Sequence, residues 1–165
     1  MTSQEGFKIL SENKLNQLKG SYSRLPISGR DSDTSDLFWN FYLRGHDKGD
    51  NDFVTLDVID QRRIKVSLIH NDSIVNSKIL KGRLKNNRFV FNRRTVIYPF
   101  LLANVYKDSK VRIGLLNNNN LSVDCKMTSF STWLILPSYD SNKSSGQYEK
   151  LNIKKNKDIL KYDNQ

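Results

Sequence analysis

Apolar and polar residues alternate in short segments over about residues 18–137, and Asn, Asp and Gly separate these segments. A period of two is typical of strands that bury one face, and turn residues at this spacing join strands into antiparallel hairpins. The pattern is clearest in residues 37–43, where the odd positions from Leu37 to Leu43 are all apolar. The alternation predicts a series of antiparallel strands, with this apolar face in the core.

Asparagine residues form the turns of two of the predicted hairpins. Asn86 and Asn87 lie at the centre of the hairpin over residues 80–91, and both tolerate the positive φ that a two-residue hairpin turn demands. Residues 117–120 are four consecutive asparagines between two further alternating segments of the hairpin over residues 111–125. The sequence predicts tight turns at both places.

The chain divides into three parts. Residues 1–17 form an N-terminal arm. Within it, residues 9–17 are predicted to form a short helix with Ser11 as N-cap, since Leu15 and Leu18 then share a face. Residues 18–138 carry the strand pattern and form the folded β domain. Residues 139–165 are rich in Ser, Asn and Lys, and this composition predicts a polar, basic and disordered tail.

A meander of this length must protect its two outer strands, because the edge of a sheet presents unpaired backbone groups. Closing the sheet on itself removes both edges. The sequence therefore predicts an all-β fold, namely an antiparallel up-and-down β-barrel of about eight to ten strands with a short N-terminal helix. A two-sheet β-sandwich is the alternative.

The order of these parts resembles that of the lipocalin-like barrels of the calycin group. In that family the first strand begins with Gly, any residue and Trp, and Gly20-Ser21-Tyr22 stands at this place with Tyr for Trp. The family's Thr-Asp-Tyr element and its disulfide are not found. The resemblance implies non-catalytic binding of a hydrophobic or amphipathic small molecule, lipid-like with an anionic headgroup, in the barrel cavity.

Composition adds a strong positive charge to this picture. The 165 residues suffice for one sizeable core, and 27 Lys and Arg against 17 acids give a net charge of +10. Such a chain favours anionic partners. The single cysteine, Cys125, excludes an internal disulfide and a thiolate-rich metal site, and its apolar surroundings predict a buried thiol.

The sequence also carries an expectation about compartment. No stretch approaches the roughly 20 apolar residues of a membrane-spanning helix. The N-terminus shows no secretion signal. The chain as written predicts a cytoplasmic protein, and a periplasmic protein or an envelope lipoprotein is the alternative if a leader has been removed.

The positive charge is concentrated in residues 73–107, which contain no acid. Alternation along the first strand of this hairpin places its basic residues on one face, opposite Leu80 and Leu84. Arg side chains offer forked donors that match phosphate geometry. The predicted anion-binding residues are Lys81, Arg83, Lys85, Arg88 and Arg93. The alternative is a solvated face that protects a sheet edge with charge.

Large apolar residues that point inward form the second candidate site. Small barrels either fill their interior with side chains or hold one small ligand. The predicted ligand-binding residues are Trp39, Phe41, Tyr42, Tyr98, Phe100 and Trp133. The alternative is a filled core, because aromatic side chains also dominate dry cores.

Two further functions compete with small-molecule binding. The basic hairpin of residues 78–94 could bind nucleic acid or an anionic envelope surface, with nucleic acid ranked below the surface. Phe89 and Phe91 in this hairpin alternate with polar residues as a core face does, which argues against a stacking role for this pair. The third possibility is a structural or interaction domain with a filled core.

Residues suited to catalysis or metal binding form no recognisable motif. The two histidines, His46 and His70, have no Cys, Ser or Glu at the spacing of a triad or a metal site. The acidic loop of residues 46–52 lacks the closing Glu of a calcium loop. The sequence therefore predicts no enzyme activity, no metal site and no cofactor.

Overall fold

A computed structural model describes residues 6–8, 10, 12–29, 37, 41, 52–100, 103–133 and 136–153, with only the backbone for 12–14, 28–29, 94–100, 103–104 and 133. A 3-10 helix, Glu12–Leu18, precedes the strands. The strands are β1 Gly20–Ser23, β2 Ser28–Gly29, β3 Phe53–Asp60, β4 Arg63–His70, β5 Ser73–Lys81, β6 Arg83–Lys85, β7 Arg88–Phe100, β8 Ala103–Leu115, β9 Leu121–Trp133, β10 Leu136–Tyr148 and β11 Lys150–Leu151.

The strands form two antiparallel sheets, which confirms the predicted all-β, antiparallel fold. The first sheet has the order β11-β1-β3-β4-β5, and the second has the order β2-β10-β9-β8-β7-β6. The prediction of one closed barrel is wrong. Within the described ranges the ladders divide into these two sheets, so the alternative of a two-sheet arrangement describes the fold.

The division arises because the chain passes twice from one sheet to the other within a nearly continuous strand. β5 and β6 are separated by Gly82 alone, and β10 and β11 by Glu149 alone. β5 pairs with β4 whereas β6 pairs with β7, and β10 pairs with β9 whereas β11 pairs with β1. Such bends form the corners of packed sheets.

The first corner brings the chain so close to β7 that position 82 has no room for a side chain, and Gly82 meets this requirement. A Cβ at this position would lie 2.5 Å from the carbonyl oxygen of Val90 and 2.7 Å from the ring of Phe89. The Gly82 amide donates a hydrogen bond to the Arg62 carbonyl at 2.8 Å. The corner therefore holds the β3–β4 turn, the β5–β6 segment and β7 close together.

The predicted hairpin turn at Asn86 and Asn87 is confirmed. Their φ angles are 50° and 59°, and Lys85 pairs with Arg88 across the turn. Two consecutive positive φ angles match the right-handed twist of the flanking strands, and Asn is among the few residues that adopt them easily.

The N-terminal helix is present as a 3-10 helix, shifted to Glu12–Leu18. Leu15 and Leu18 are buried, as their shared face predicts. Residues 9 and 11, where the helix was expected to begin, lie outside the described residues.

The prediction of a disordered tail from residue 139 is wrong for its first part. β10 continues to Tyr148, β11 follows, and the register with β9 runs unbroken to Tyr148 opposite Leu121. The sequence pattern concealed this strand because residues 136–143 are exposed on both faces. Tyr148, fully buried, anchors its end. Residues 154–165 lie outside the described residues.

The core lies between the inner faces of the two sheets and is built from aliphatic and aromatic side chains. Its members include Leu18, Tyr22, Leu37, Phe41, Val54, Leu56, Ile64, Val66, Leu68, Leu80, Phe89, Phe91, Val111, Ile113, Leu121, Val123 and Tyr148. Cys125 packs against this cluster and is half-buried, and burial raises the pKa of its thiol.

Candidate anion-binding site

An open cleft of about 1030 Å³ lies beside the corner at Gly82. Four structural elements surround it, namely the β3–β4 turn, the β5–β6 corner, the start of β7 and the middle of β8. Its lining consists of Asp60, Gln61, Arg62, Arg63, Lys81, Gly82, Arg83, Lys85, Val90, Phe91, Asn92 and Lys110.

Positive charge dominates this cleft. Six of its lining residues are cationic and one is acidic; the cations are Arg62, Arg63, Lys81, Arg83, Lys85 and Lys110. Asp60, the acid, accepts hydrogen bonds from the Arg62 amide at 2.8 Å and from Arg63 Nε at 2.6 Å. These contacts, that of the Arg62 amide first, hold the pKa of Asp60 below its usual value, so the carboxylate is ionised and engaged.

Three of the predicted anion-binding residues meet in this cleft. Lys81, Arg83 and Lys85 are exposed and line it together, since Gly82 and Leu84 occupy the inner positions between them. Within the described residues none of the three forms a salt bridge. Their charges are therefore available to a partner in solution.

Sequence reasoning missed the other half of the cleft. Arg63 lies directly opposite Lys81 in the β4–β5 ladder, and Arg62 precedes it in the β3–β4 turn. Lys110 belongs to β8 and lies opposite Asn92 of β7. The Arg62–Arg63 pair at a hairpin turn was a visible signal, but only strand pairing brings it to Lys81.

The structure keeps Arg88 and Arg93 out of the cleft. The Arg88 guanidinium forms an ion pair with Asp124 and lies 4.0 Å from the centre of the Phe7 ring. Arg93 lies opposite Ser109 in the register that places Phe91 in the core, so it is on the inner face of its sheet and half-buried. Neither side chain joins Lys81.

The predicted ligand-binding residues are only partly described. Phe41 is fully buried in the core, with its ring centroid 6.5 Å from that of Phe91. Trp39 and Tyr42 lie outside the described residues. For the remaining three, only the backbone positions are described: Tyr98, Phe100 and Trp133. The internal ligand site stays a prediction.

A buried charge cluster was also missed by sequence reasoning. The Arg24 guanidinium forms an ion pair with Asp52, whose other oxygen lies 2.6 Å from His70 Nδ1. The Asp52 side chain is fully buried and that of Arg24 nearly so. The cluster joins the chain after β1, the start of β3 and the end of β4, so we interpret it as a structural tie between neighbouring strands.

Among the described residues, no group of three His, Cys, Asp or Glu side chains is placed to hold a metal ion. No helix in the described part of the chain is long and apolar enough to cross a membrane.

Comparison with known proteins adds no relative to this picture. No family model, curated protein or solved structure matches the chain.

Proposed function

We propose that this protein is a non-catalytic binding module for a phosphate-bearing polyanion, which it holds in the cleft beside Gly82. The observation that carries the proposal is the gathering of six cationic side chains around one engaged carboxylate. These cations come from the β3–β4 turn, the β5–β6 corner and β8, so folding is what brings them together.

Electrostatics favours this function. Like charges on neighbouring strands destabilise a sheet, so a crowded set of cations is unfavourable until a counter-charge neutralises it. A cleft lined by one sign of charge also concentrates its field and raises the local concentration of oppositely charged ligands. An anionic polymer fits such a site because it supplies several charges along one chain.

The chemistry of the side chains favours phosphate. Arg83, Arg62 and Arg63 present planar guanidinium groups that can donate two parallel hydrogen bonds to one phosphate. Lys81, Lys85 and the other lysine of the cleft add point charges that follow a flexible chain. Val90 and Phe91 at the back are nearly buried and leave the floor apolar.

Binding of a hydrophobic or amphipathic small molecule, which the lipocalin-like resemblance implies, stays a second proposal. Phe41, which was predicted to bind this small molecule, packs among core side chains. The polyanion proposal ranks above it because the residues that carry it form an open and accessible cleft.

Charge reversal at Arg83 tests the proposed function. We expect Arg83→Glu to weaken binding of inorganic polyphosphate, measured by isothermal titration calorimetry, roughly tenfold or more, because it removes a charge-assisted contact and adds repulsion. Binding by the unaltered protein should weaken as salt rises, since neutralised phosphates release counterions.

Lys107→Glu is the matched control. Lys107 is an exposed lysine of β8 three residues from Lys110, and alternation places it on the opposite face of the sheet. Lys107→Glu changes the net charge by the same amount as Arg83→Glu. The proposal would be contradicted if the two variants lost polyphosphate affinity equally, or if Arg83→Glu left that affinity unchanged.

A further inference from the structure

The outer face of the six-stranded sheet carries a row of exposed aromatic side chains. Tyr106 of β8, Phe130 of β9 and Tyr139 of β10 lie directly opposite one another in the ladders. Directly opposite residues of an antiparallel pair share a face, and neighbouring strands lie about 4.8 Å apart. The three rings therefore form one continuous row across three strands.

These rings are accessible although they belong to long, paired strands. Tyr106, Phe130 and Tyr139 are 37%, 42% and 67% exposed. Each lies three residues from the end of its 13-residue strand, so the row belongs to the paired part of the sheet and not to a loop. Partial exposure at such a position is what a stacking platform requires.

A row of lysines crosses the same face beside the aromatic row. Lys110, Lys126 and Lys143 lie directly opposite one another on β8, β9 and β10. They are four residues along each strand from the aromatic rings, which corresponds to about 13 Å. Lys110 also lines the cleft beside Gly82, so the lysine row continues the cleft across the sheet.

We propose that the polyanion is a single-stranded nucleic acid, whose bases stack on the aromatic row while its phosphates follow the lysine row into the cleft. The inference rests on the proposed function, because the cleft supplies the remaining phosphate contacts. Proteins that bind single strands without sequence preference combine aromatic platforms with a basic groove in this way.

The geometry favours a single strand over other anions. Unpaired bases offer π-faces to the rings, whereas a duplex keeps its bases stacked on each other. A membrane would be met by protruding apolar side chains, but Tyr106 and Phe130 are more than half covered. One acid, Asp108, lies between the rows, and the three lysines outnumber it.

The test is fluorescence anisotropy with the full-length protein and a labelled oligothymidine of about 20 nucleotides, long enough for one site. The comparison ligands are a duplex of the same length and inorganic polyphosphate as competitor. We expect the single strand to bind about tenfold more tightly than the duplex, which is the effect of stacking one base or more.

The competing outcomes separate this inference from the proposed function. If polyphosphate and the duplex bind as tightly as the single strand, the inference is overturned and the proposed function stands. No binding of any of the three would overturn both. Binding to vesicles of anionic lipid, without binding to oligothymidine, would assign this face to a membrane and overturn the inference.

Two exposed residues of β10 provide a matched pair for the aromatic row. Tyr139 and Leu136 are 67% and 70% exposed and lie on opposite faces, so neither substitution should unfold the protein. We expect Tyr139→Ser to weaken oligothymidine binding about tenfold while polyphosphate binding is unchanged. Leu136→Ser should change neither. Equal effects of the two variants, or none for Tyr139→Ser, would overturn the inference.

The lysine row has its own readout in the salt dependence of binding. Lys126→Ala should reduce the log-log slope of oligothymidine affinity against salt by about 0.7, the value for one phosphate contact on a single strand. Lys107→Ala, on the opposite face, should leave the slope unchanged. Identical slopes for these two variants would contradict a phosphate path along this row.

Discussion

Tyr22 shows how burial and one hydrogen bond fix the chemistry of a single residue. Its ring is fully buried, its hydroxyl donates to the Leu18 carbonyl at 2.9 Å, and burial raises its pKa far above the usual value. The folded protein therefore holds this proton more tightly than the unfolded chain does. The contribution of Tyr22 to the free energy of unfolding is therefore complete below the pKa of an unfolded tyrosine, about 10. It decreases as the pH rises above that value.

Tyr22→Phe tests this linkage. We expect the variant to lose about 1 kcal/mol of unfolding free energy at pH 7, because the Leu18 carbonyl loses its donor. Between pH 9 and 11, its stability should fall less steeply with pH than that of the unaltered protein. Urea denaturation followed by circular dichroism at several pH values measures both quantities, and parallel pH profiles would contradict the assignment.

Asp52 is the residue on which the buried charge cluster depends. Asp52→Asn removes the negative charge that Arg24 and His70 contact, and with it the buried ion pair between Arg24 and Asp52. Breaking a buried pair from one side costs about 3–5 kcal/mol, so we expect a loss of this size in the free energy of unfolding. Thermal and chemical denaturation measure it, and a loss of less than about 1 kcal/mol would show that the pair is not important for stability.

At the scale of elements, the two bent strands decide the architecture. Alternation predicted β3, β4, β7, β8 and β9, and Asn86 and Asn87 predicted a tight turn, because these are local properties of the chain. The strand predicted over residues 37–43 is wrong at its two described residues, since the Phe41 amide donates to the Leu37 carbonyl at 3.1 Å as in a helical turn. The corner at Gly82 was not predicted, since a glycine between Lys81 and Arg83 does not show from sequence where a strand leaves its sheet. That position follows from the close approach of Val90 and Phe89 in the next strand, which the alternation of residues does not show.

Gly82→Ala tests the corner. The added methyl group would lie 2.5 Å from a backbone carbonyl oxygen, which cannot move aside without disturbing the β6–β7 ladder. We expect the free energy of unfolding to fall by at least about 1–3 kcal/mol, the cost of overpacking. Gly6→Ala is the control, because its Cβ would meet only the Asn117 side chain, which is free to rotate. Equal stability of the two variants would contradict the role of Gly82.

The strand β10 could not be predicted from its own sequence. Its residues are Ser, Asn, Lys and Gly for most of its length, a composition that favours disorder. Pairing with β9 along the whole strand and the burial of Tyr148 at its end compensate for this composition. A sequence pattern carries no information about a strand whose order depends on its neighbour.

In the molecule as a whole, six cationic side chains from separate elements meet in the cleft beside Gly82. The sequence revealed Lys81, Arg83 and Lys85 because they belong to one strand pattern. It could not reveal that Arg63 lies opposite Lys81, or that Lys110 completes the cleft from β8, since strand pairing determines both. About half of the candidate site was therefore predictable, and the rest depends on the fold.

Whether the cleft beside Gly82 binds polyanions is tested most directly by titrating the isotope-labelled protein with inorganic polyphosphate and recording two-dimensional amide NMR spectra. We expect shift changes to concentrate at the amides of residues 60–63, 81–85 and 110, and the amides of Lys107 and its neighbours to change little. Changes that scatter over the surface, or that centre on the buried core around Phe41, would contradict it.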